Sequence, residues 1–347
     1  TAKRGTIYTA NGDPIAEDTS TYTIYAIMAK NQQSASGKAL YVKNNVKAAQ
    51  VLSKYLPISY KKALATLQKG AGKFQIEFGT AGKNISLTTK EKIDAQNVTG
   101  LHFIESEARL YPNGTFASHL VGLTTSKSQK NTDQTRLTGS MGIELAFNKQ
   151  LSGTDGRKTI TKSGYQGSTE TGKKVKDGDN IYTTLDSKLQ TLLETKVSQV
   201  NAKVSPKSMT ATLMNAKTGA ILATTQRPTF NAQTKSGLSK MWRNLLVEDT
   251  YEPGSTMKVF TMAAAIDSGK YNANVTVPTG EYKIGNNTVP DWNTSGWGNI
   301  TYAKGFALSS NTAMAHLEQT MGAKTWLKYI KRFGLRESTN SGLDSEQ

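Results

Sequence analysis

Tyr251-Glu252-Pro253-Gly254-Ser255-Thr256-Met257-Lys258 runs directly into Val259-Phe260-Thr261-Met262-Ala263-Ala264-Ala265-Ile266. Pro253 and Gly254 stop the preceding chain and admit a sharp entry. The almost wholly apolar run that follows reads as a core helix. Ser255 is expected at or near the helix N-terminus. Lys258 lies three residues on, so the two side chains share one helix face. A serine hydroxyl is a weak nucleophile and needs an adjacent base. Lysine can be that base only where its pKa is lowered, and burial and the positive helix end both lower it. The same dipole favours negative charge developing on Ser255 or on an attacked carbonyl oxygen. The alternative for Ser255 is an ordinary N-cap serine. Ser59-Tyr60-Lys61-Lys62 has the same S-x-x-K spacing but lies in a polar helical region after Pro57. It is not expected to be functional.

Working outward, Ser309-Ser310-Asn311 follows Gly305-Phe306-Ala307-Leu308 and precedes an apolar helix over Ala313 to Met321. A hydroxyl and a carboxamide two residues apart on a turn can point into one cleft. The alternative for Ser309 and Asn311 is helix capping. Ser338-Thr339-Asn340 also fits S-x-N but reads as a surface turn.

The 347 residues carry 43 Lys+Arg against 26 Asp+Glu, a formal charge of +17, with no cysteine and three histidines. That length predicts about two domains. Without cysteine there is no disulfide, thiolate nucleophile or thiolate metal site. His102, His119 and His316 are far apart, which argues against a histidine metal cluster, and no cofactor is called for. The basic residues are dispersed, with only short pairs such as Lys61-Lys62 and Lys173-Lys174. Nucleic acid would need clustered Lys/Arg with interleaved aromatics, so it is not an expected partner. The charge reads as a solvated surface, or as one suited to anionic membrane or wall polymers. No apolar run approaches the ~18 residues needed to span a bilayer.

Residues 4–30 read as a hairpin-like start with turns at Asn11-Gly12 and Asp13-Pro14. Residues 43–69 show helical spacing broken at Pro57. Residues 70–125 read as mixed short strands and helices, and residues 150–180 as extended loops or exposed strands. A helix is expected from Thr184 to Val200 with Asp186 as its cap. A strand pair, Met209–Met214 and Ala220–Thr225, follows around a turn at Asn215–Gly219. The domain boundary is placed near residue 178.

S-x-x-K followed by S-x-N is the combination of penicillin-binding proteins and class A β-lactamases. Here the chain resembles a class B penicillin-binding protein over nearly its full length. Arg4-Gly5-Thr6-Ile7-Tyr8, Asn11-Gly12, Pro14-Ile15-Ala16, Arg109-Leu110-Tyr111-Pro112-Asn113-Gly114 and Gly122-Leu123 are similar to motifs of that family's N-terminal half. So is Gly139-Ser140-Met141-Gly142-Ile143-Glu144. Ala223-Thr224-Thr225-Gln226-Arg227-Pro228-Thr229-Phe230 and Asp291-Trp292 resemble its transpeptidase half. Thr9-Ala10 departs from the family's Asp-Arg, which is expected to loosen a contact in the N-terminal region.

The resemblance implies an α+β fold. Residues 1–178 would form an elongated, dimerisation-type pedestal. Residues 179–347 would form part of a penicillin-binding transpeptidase domain, an antiparallel sheet with helices on both sides. It implies a serine D-alanyl-D-alanine transpeptidase that cross-links peptidoglycan stem peptides through an acyl-enzyme and is acylated by β-lactams. Ser255 would be the nucleophile, Lys258 the base and Ser309 a proton relay. Asn311 would bind substrate amide and help position Lys258, and Trp292 would contact substrate. The family is anchored on the outer face of the bacterial membrane at the division septum, beside a SEDS-type glycan polymerase and division proteins.

The family's third motif, Lys-[Ser/Thr]-Gly on a strand, lies well downstream of the nucleophile. Lys162-Ser163-Gly164, Lys217-Thr218-Gly219 and Lys235-Ser236-Gly237 all precede Ser255, and none is assigned to the site. The C-terminal part of the transpeptidase domain is therefore expected to be absent, leaving this chain inactive alone, and the abrupt start at Thr1 without Met fits the family's membrane helix lying upstream. Two other readings share the fold: a non-catalytic penicillin-sensing or wall-binding module, and a D-alanyl carboxypeptidase or β-lactamase that deacylates with water.

Overall fold

The computed structural model describes residues 1–128, 135–162, 168–343 and Glu346. They form two compact units, Thr1–Leu246 and Val247–Gln347.

The first unit opens with the expected hairpin. β1 (Ile7–Tyr8) turns through Gly12, at φ 87°, into the long β2 (Pro14–Ile27). Thr9 N–H donates to Asp13 O at 2.9 Å across the turn. Thr9 is buried, and its hydroxyl accepts from Asp13 N–H at 3.1 Å and from the Ser187 hydroxyl at 3.2 Å, so its position is firmly held. The helical stretch splits as Pro57 dictates, into α1 (Asn45–Tyr55) and α2 (Tyr60–Lys69). β3 (Gln75–Glu77), α3 (Leu87–Asp94) and β4 (Leu101–Leu110) follow. β4 corrects the expectation of only short strands, because the longer β2 pairs with it along its whole length. It pairs antiparallel with β2 from Glu17↔Leu110 to Ala26↔Leu101. Two hairpins come next, β5 (Leu123–Ser128) with β6 (Thr135–Met141) and β7 (Arg157–Lys162) with β8 (Ser168–Lys173). β9 (Ile181–Tyr182) adds parallel to β1, giving a sheet in the order β3-β2-β1-β9 with β4 also on β2. The three helices bury Leu52, Ala63, Leu67 and Ile93 against Ile24 and Ala26. Burial of each large aliphatic side chain contributes about 1.5–3 kcal/mol.

A second anchor of this unit is ionic. Glu144 is fully buried between Arg4, whose Nε donates to it at 2.7 Å, and Arg109, whose Nε does so at 2.7 Å. These residues are distant in sequence, and two cations on one buried carboxylate tie together Gly5, Glu144 and the end of β4. α4 (Ser187–Val204) starts at Asp186, whose carboxylate accepts from the N–H groups of Lys188 and Leu189 at 2.9 Å each. It packs on the antiparallel pair β10 (Met209–Met214) and β11 (Ile221–Arg227). The buried Gln190 bonds both the N–H and the C=O of Thr224 at 2.8 Å, supplying the partner that this strand position lacks.

The second unit is built on α5 (Met257–Asp267). β12 (Thr276–Pro278) pairs with β15 (Asn299–Thr301), and β13 (Glu281–Ile284) forms a hairpin with β14 (Asn287–Pro290). α6 (Tyr302–Ala307), α7 (Asn311–Met321) and α8 (Ala323–Arg332) complete it. Ala264 and Ala265 of α5 are buried against Tyr302, Ala313, Met314 and Leu317. Within this unit α5 packs through one stripe, and Val259 and Ile266 remain 57% and 56% exposed.

Candidate active site

The entry to α5 follows from Pro253-Gly254. Gly254 takes φ 61° with open space around it, a conformation that strains residues with a Cβ. A single 3-10 turn, Gly254–Thr256, then leads into α5. The Thr256 hydroxyl closes that turn on Pro253 O at 2.7 Å. Ser255 therefore sits exposed in the turn, and Lys258 rises from the first turn of the helix. Lys258 Nζ lies 2.9 Å from Ser255 Oγ.

The opposite wall is the α6–α7 junction. Gly305 lets the helices meet closely, since a Cβ there would lie 2.5 Å from the Ala313 Cβ. The chain then turns sharply, with Ser309 at φ 56°. For a non-glycine residue this costs about 1–3 kcal/mol and needs surrounding support. Ser309 N–H to Phe306 O at 3.0 Å and Ser310 N–H to Gly305 O at 2.8 Å supply part of it. Capping of α7 falls to Ser310, whose hydroxyl accepts from Ala313 N–H at 3.0 Å. Ser309 and Asn311, on either side of the cap, are left free to face α5.

Both converge on Lys258. Its Nζ lies 2.6 Å from Asn311 Oδ1, 3.0 Å from Ser309 O and 3.2 Å from Ser309 Oγ. The Ser309 hydroxyl donates to Ser255 Oγ at 3.1 Å. Two hydroxyls, an amine and a carboxamide thus form one closed network. Burial holds the Lys258 amine below the ordinary lysine range, against an upward pull from the charge of Asp291. A neutral amine at 2.9 Å from a hydroxyl can accept its proton, which is the geometry of an activated serine.

Trp292 stands 72% exposed, edge-on to Trp297 at 5.3 Å. Its Nε1–H donates to Leu308 O at 3.0 Å, so the indole also braces the turn that carries Ser309. Asp291 was not among the expected site residues, yet it lies under this turn. The signal that could have found it is the pair of hydroxyls, Ser310 and Thr312, bracketing Asn311 at a helix start.

The other motif copies lie elsewhere. Ser59 is the N-cap of α2, accepting from Lys62 N–H at 3.3 Å. Lys217-Thr218-Gly219 lies in the β10–β11 turn, where Gly219 N–H donates to Asn215 O at 2.8 Å. Lys235-Ser236-Gly237 lies in a loop of the first unit, with Ser236 O accepting from Asn231 N–H. Lys162 ends β7, while Ser163 and Gly164 lie outside the described residues. Ser338-Thr339-Asn340 is exposed. Among the described residues, no group of three or more His, Asp or Glu is arranged to hold a metal ion, and no helix is long and apolar enough to cross a membrane.

Residues 1–183 match the family described as Penicillin-binding Protein dimerisation domain, and residues 209–347 match Penicillin binding protein transpeptidase domain. β10 and β11, inside the second match, belong to the first compact unit. Stage V sporulation protein D of Bacillus subtilis (strain 168) is 30% identical over 99% of this chain and 51% of its own length. Peptidoglycan D,D-transpeptidase FtsI of Escherichia coli (strain K12) is 29% identical over 72% of this chain and 41% of its own length. The crystal structure of Penicillin Binding Protein 2X from Streptococcus thermophilus is 38% identical, with a TM-score of 0.80, over 100% of this chain and 53% of that one. The chain spans about half the length of the relatives it matches. Its two matched regions, in this order and with this agreement in fold, make the chain a member of the class B penicillin-binding proteins, with a dimerisation domain and part of a transpeptidase domain.

Proposed function

We propose that this protein is a peptidoglycan D-alanyl-D-alanine transpeptidase and that Ser255 is its acylated residue. The observation that carries the reading is the convergence of Ser255, Ser309 and Asn311 on the Lys258 amine, with every contact at 3.2 Å or less. Lys258 takes the Ser255 proton as Oγ attacks the carbonyl between two D-alanines. The N–H of Ser255, at the positive end of α5, supports the oxyanion. The Ser309 hydroxyl, bonded to both Lys258 and Ser255, passes a proton to the leaving amine as the C–N bond breaks and D-alanine departs. The amine of a second stem peptide then attacks the ester, releases Ser255 and completes the cross-link. Asn311 holds Lys258 through Oδ1 and offers an amide partner to substrate. Trp292 forms an exposed apolar wall for substrate. A β-lactam opens its ring on Ser255 by the same first step.

The division at residue 178 between pedestal and transpeptidase regions belongs to this reading. It is supported by the dimerisation match ending at residue 183. So does placement on the outer membrane face at the division septum beside a SEDS-type polymerase, supported by relatives named as peptidoglycan D,D-transpeptidases.

The test is labelling of the intact protein with a fluorescent penicillin. Stable label that Ser255→Ala abolishes is expected. Label that persists in Ser255→Ala refutes the reading, and label that forms at Ser255 but is shed rapidly assigns the chain to a hydrolase instead.

A further inference from the structure

Asp291 is a buried acidic residue, 3% exposed, lying between β14 and Trp292. Its Oδ1 accepts from Ser310 Oγ at 3.0 Å and Thr312 N–H at 3.1 Å. Its Oδ2 accepts from Gly280 N–H at 2.9 Å, Thr312 Oγ1 at 2.7 Å and Ser310 Oγ at 3.2 Å. On the other side, Asp291 N–H donates to Gly280 O at 2.8 Å. The residue is thus pinned to the strand side by Gly280, and it grips the two residues that bracket Asn311.

Its neighbours act on the same turn. Pro290 O accepts from Asn311 Nδ2 at 2.9 Å, which turns Asn311 Oδ1 toward Lys258. Trp292 Nε1–H holds Leu308 O. Three consecutive residues therefore fasten the turn at 308, 311 and, through 310 and 312, at the start of α7. Ser309, in its left-handed conformation, lies inside this clamp. We propose that Asp291 is a positioning residue, whose carboxylate holds Ser309 and Asn311 in register with the Lys258 amine.

This inference rests on the transpeptidase reading of Ser255 and Lys258, but it concerns a residue that touches no reacting atom. A neutral side chain cannot replace the carboxylate. Both of its oxygens receive a backbone N–H, one from Gly280 and one from Thr312. Backbone donors cannot rotate, so in Asp291→Asn either amide orientation sets an NH₂ group against one of them. Burial by itself would raise the Asp291 carboxyl. The donors of Gly280, Thr312 and Ser310 outweigh it and hold the carboxyl below its usual range. A charged acceptor makes such bonds shorter and stronger than a neutral one, and a carboxylate at the start of α7 suits the helix dipole.

A second consequence is electrostatic. The Asp291 charge pulls the Lys258 pKa upward, against burial. α5 packs on α7 and α8. Other charged or titratable groups there have their own partners or face solvent. Glu318 accepts from Thr261, His316 bonds Tyr302, and Arg332 pairs with Asp267. Glu252, Lys304, Lys324, Lys328 and Lys331 are exposed.

The experiment measures the second-order rate of Ser255 acylation by a fluorescent penicillin against pH, in the intact protein. Asp291→Asn is expected to lower the plateau rate by about 10- to 100-fold, the effect of a misplacement on the order of 1 Å. Its acidic limb is expected to move to lower pH, because the remaining amine loses its proton more easily without the nearby negative charge. Thr312→Val keeps the charge and removes one hydroxyl donor. It should lower the plateau by about threefold and leave the limb in place. An Asp291→Asn plateau within about twofold of wild type overturns the inference. So does a smaller labelled fraction whose labelled molecules react at the wild-type plateau rate, which a merely structural carboxylate would give. Should Asp291→Asn fail to fold, Thr312→Val acylating at the wild-type rate overturns it as well. Failure of the underlying reading looks different: the unmodified protein takes no label, or Ser255→Ala keeps it.

Discussion

Asn311→Asp puts a carboxylate where a carboxamide oxygen now lies 2.6 Å from Lys258 Nζ. The change is nearly isosteric, so its effect is chiefly electrostatic. Two unit charges at that separation attract by about 1.6 kcal/mol at the dielectric of water and about 6 kcal/mol at an effective dielectric of 20. Ser255 and Asn311 are both exposed and Lys258 is half-buried, so solvent screening favours the lower part of that range. Each ~1.4 kcal/mol is one pH unit. The acidic limb of Ser255 acylation should therefore move up by about one to three pH units. At neutral pH the rate should fall by about 10- to 1000-fold, since only the neutral amine can take the serine proton. Pro290 O, which now accepts from Asn311 Nδ2 at 2.9 Å, would repel the new oxygen and drive it further toward Lys258. The assay is stopped-flow or gel-based labelling of the intact protein by a penicillin between neutral and alkaline pH. Recovery of rate at high pH marks the variant as folded and the loss as protonation. A slowed variant whose limb stays at the wild-type pH would refute Lys258 as the base.

Two further outcomes test other parts of the molecule. Glu144→Gln leaves Arg4 and Arg109 buried around a neutral amide, and breaking such a buried pair costs about 3–5 kcal/mol. At about 2–4 °C per kcal/mol for a unit of this size, scanning calorimetry should show the first unit melting about 6–20 °C lower; a shift under about 2 °C removes the ionic anchor from the account. Ser59→Ala removes the α2 cap and should cost about 1 kcal/mol of stability, with penicillin labelling unchanged. Lost labelling would mean that the S-x-x-K copy at Ser59 had been misassigned.

Much of this fold follows from local chemistry. Pro57 between two helical periods, Asp186 before an amphipathic run and Asn215–Gly219 between two strand patterns each act within a few residues, so the chain itself spells them out. The reach of β4 was less legible, because a strand's length is set by its partner, here β2.

At the site the division is sharper. The spacing of Ser255 and Lys258 placed them on one helical turn, and the structure has them at 2.9 Å. Ser309 and Asn311 could be nominated by their residue types, but 51 and 53 residues separate them from Lys258. Local periodicity cannot close such a distance. Capping could equally have used either side chain, and only the folded turn shows Ser310 taking that role and leaving its neighbours free. Asp291 was legible only as half of an Asp291-Trp292 pair. Its function as an anchor comes from five contacts contributed by Gly280, Ser310 and Thr312. The sequence by itself determined which groups could do serine–lysine chemistry, because that depends on residue type and spacing within one helical turn. Tertiary structure alone decided that these groups meet around one amine. That meeting requires distant backbone segments to be held at hydrogen-bond distance, which only the packing of α5 against α7 and the carboxylate beneath the turn provide.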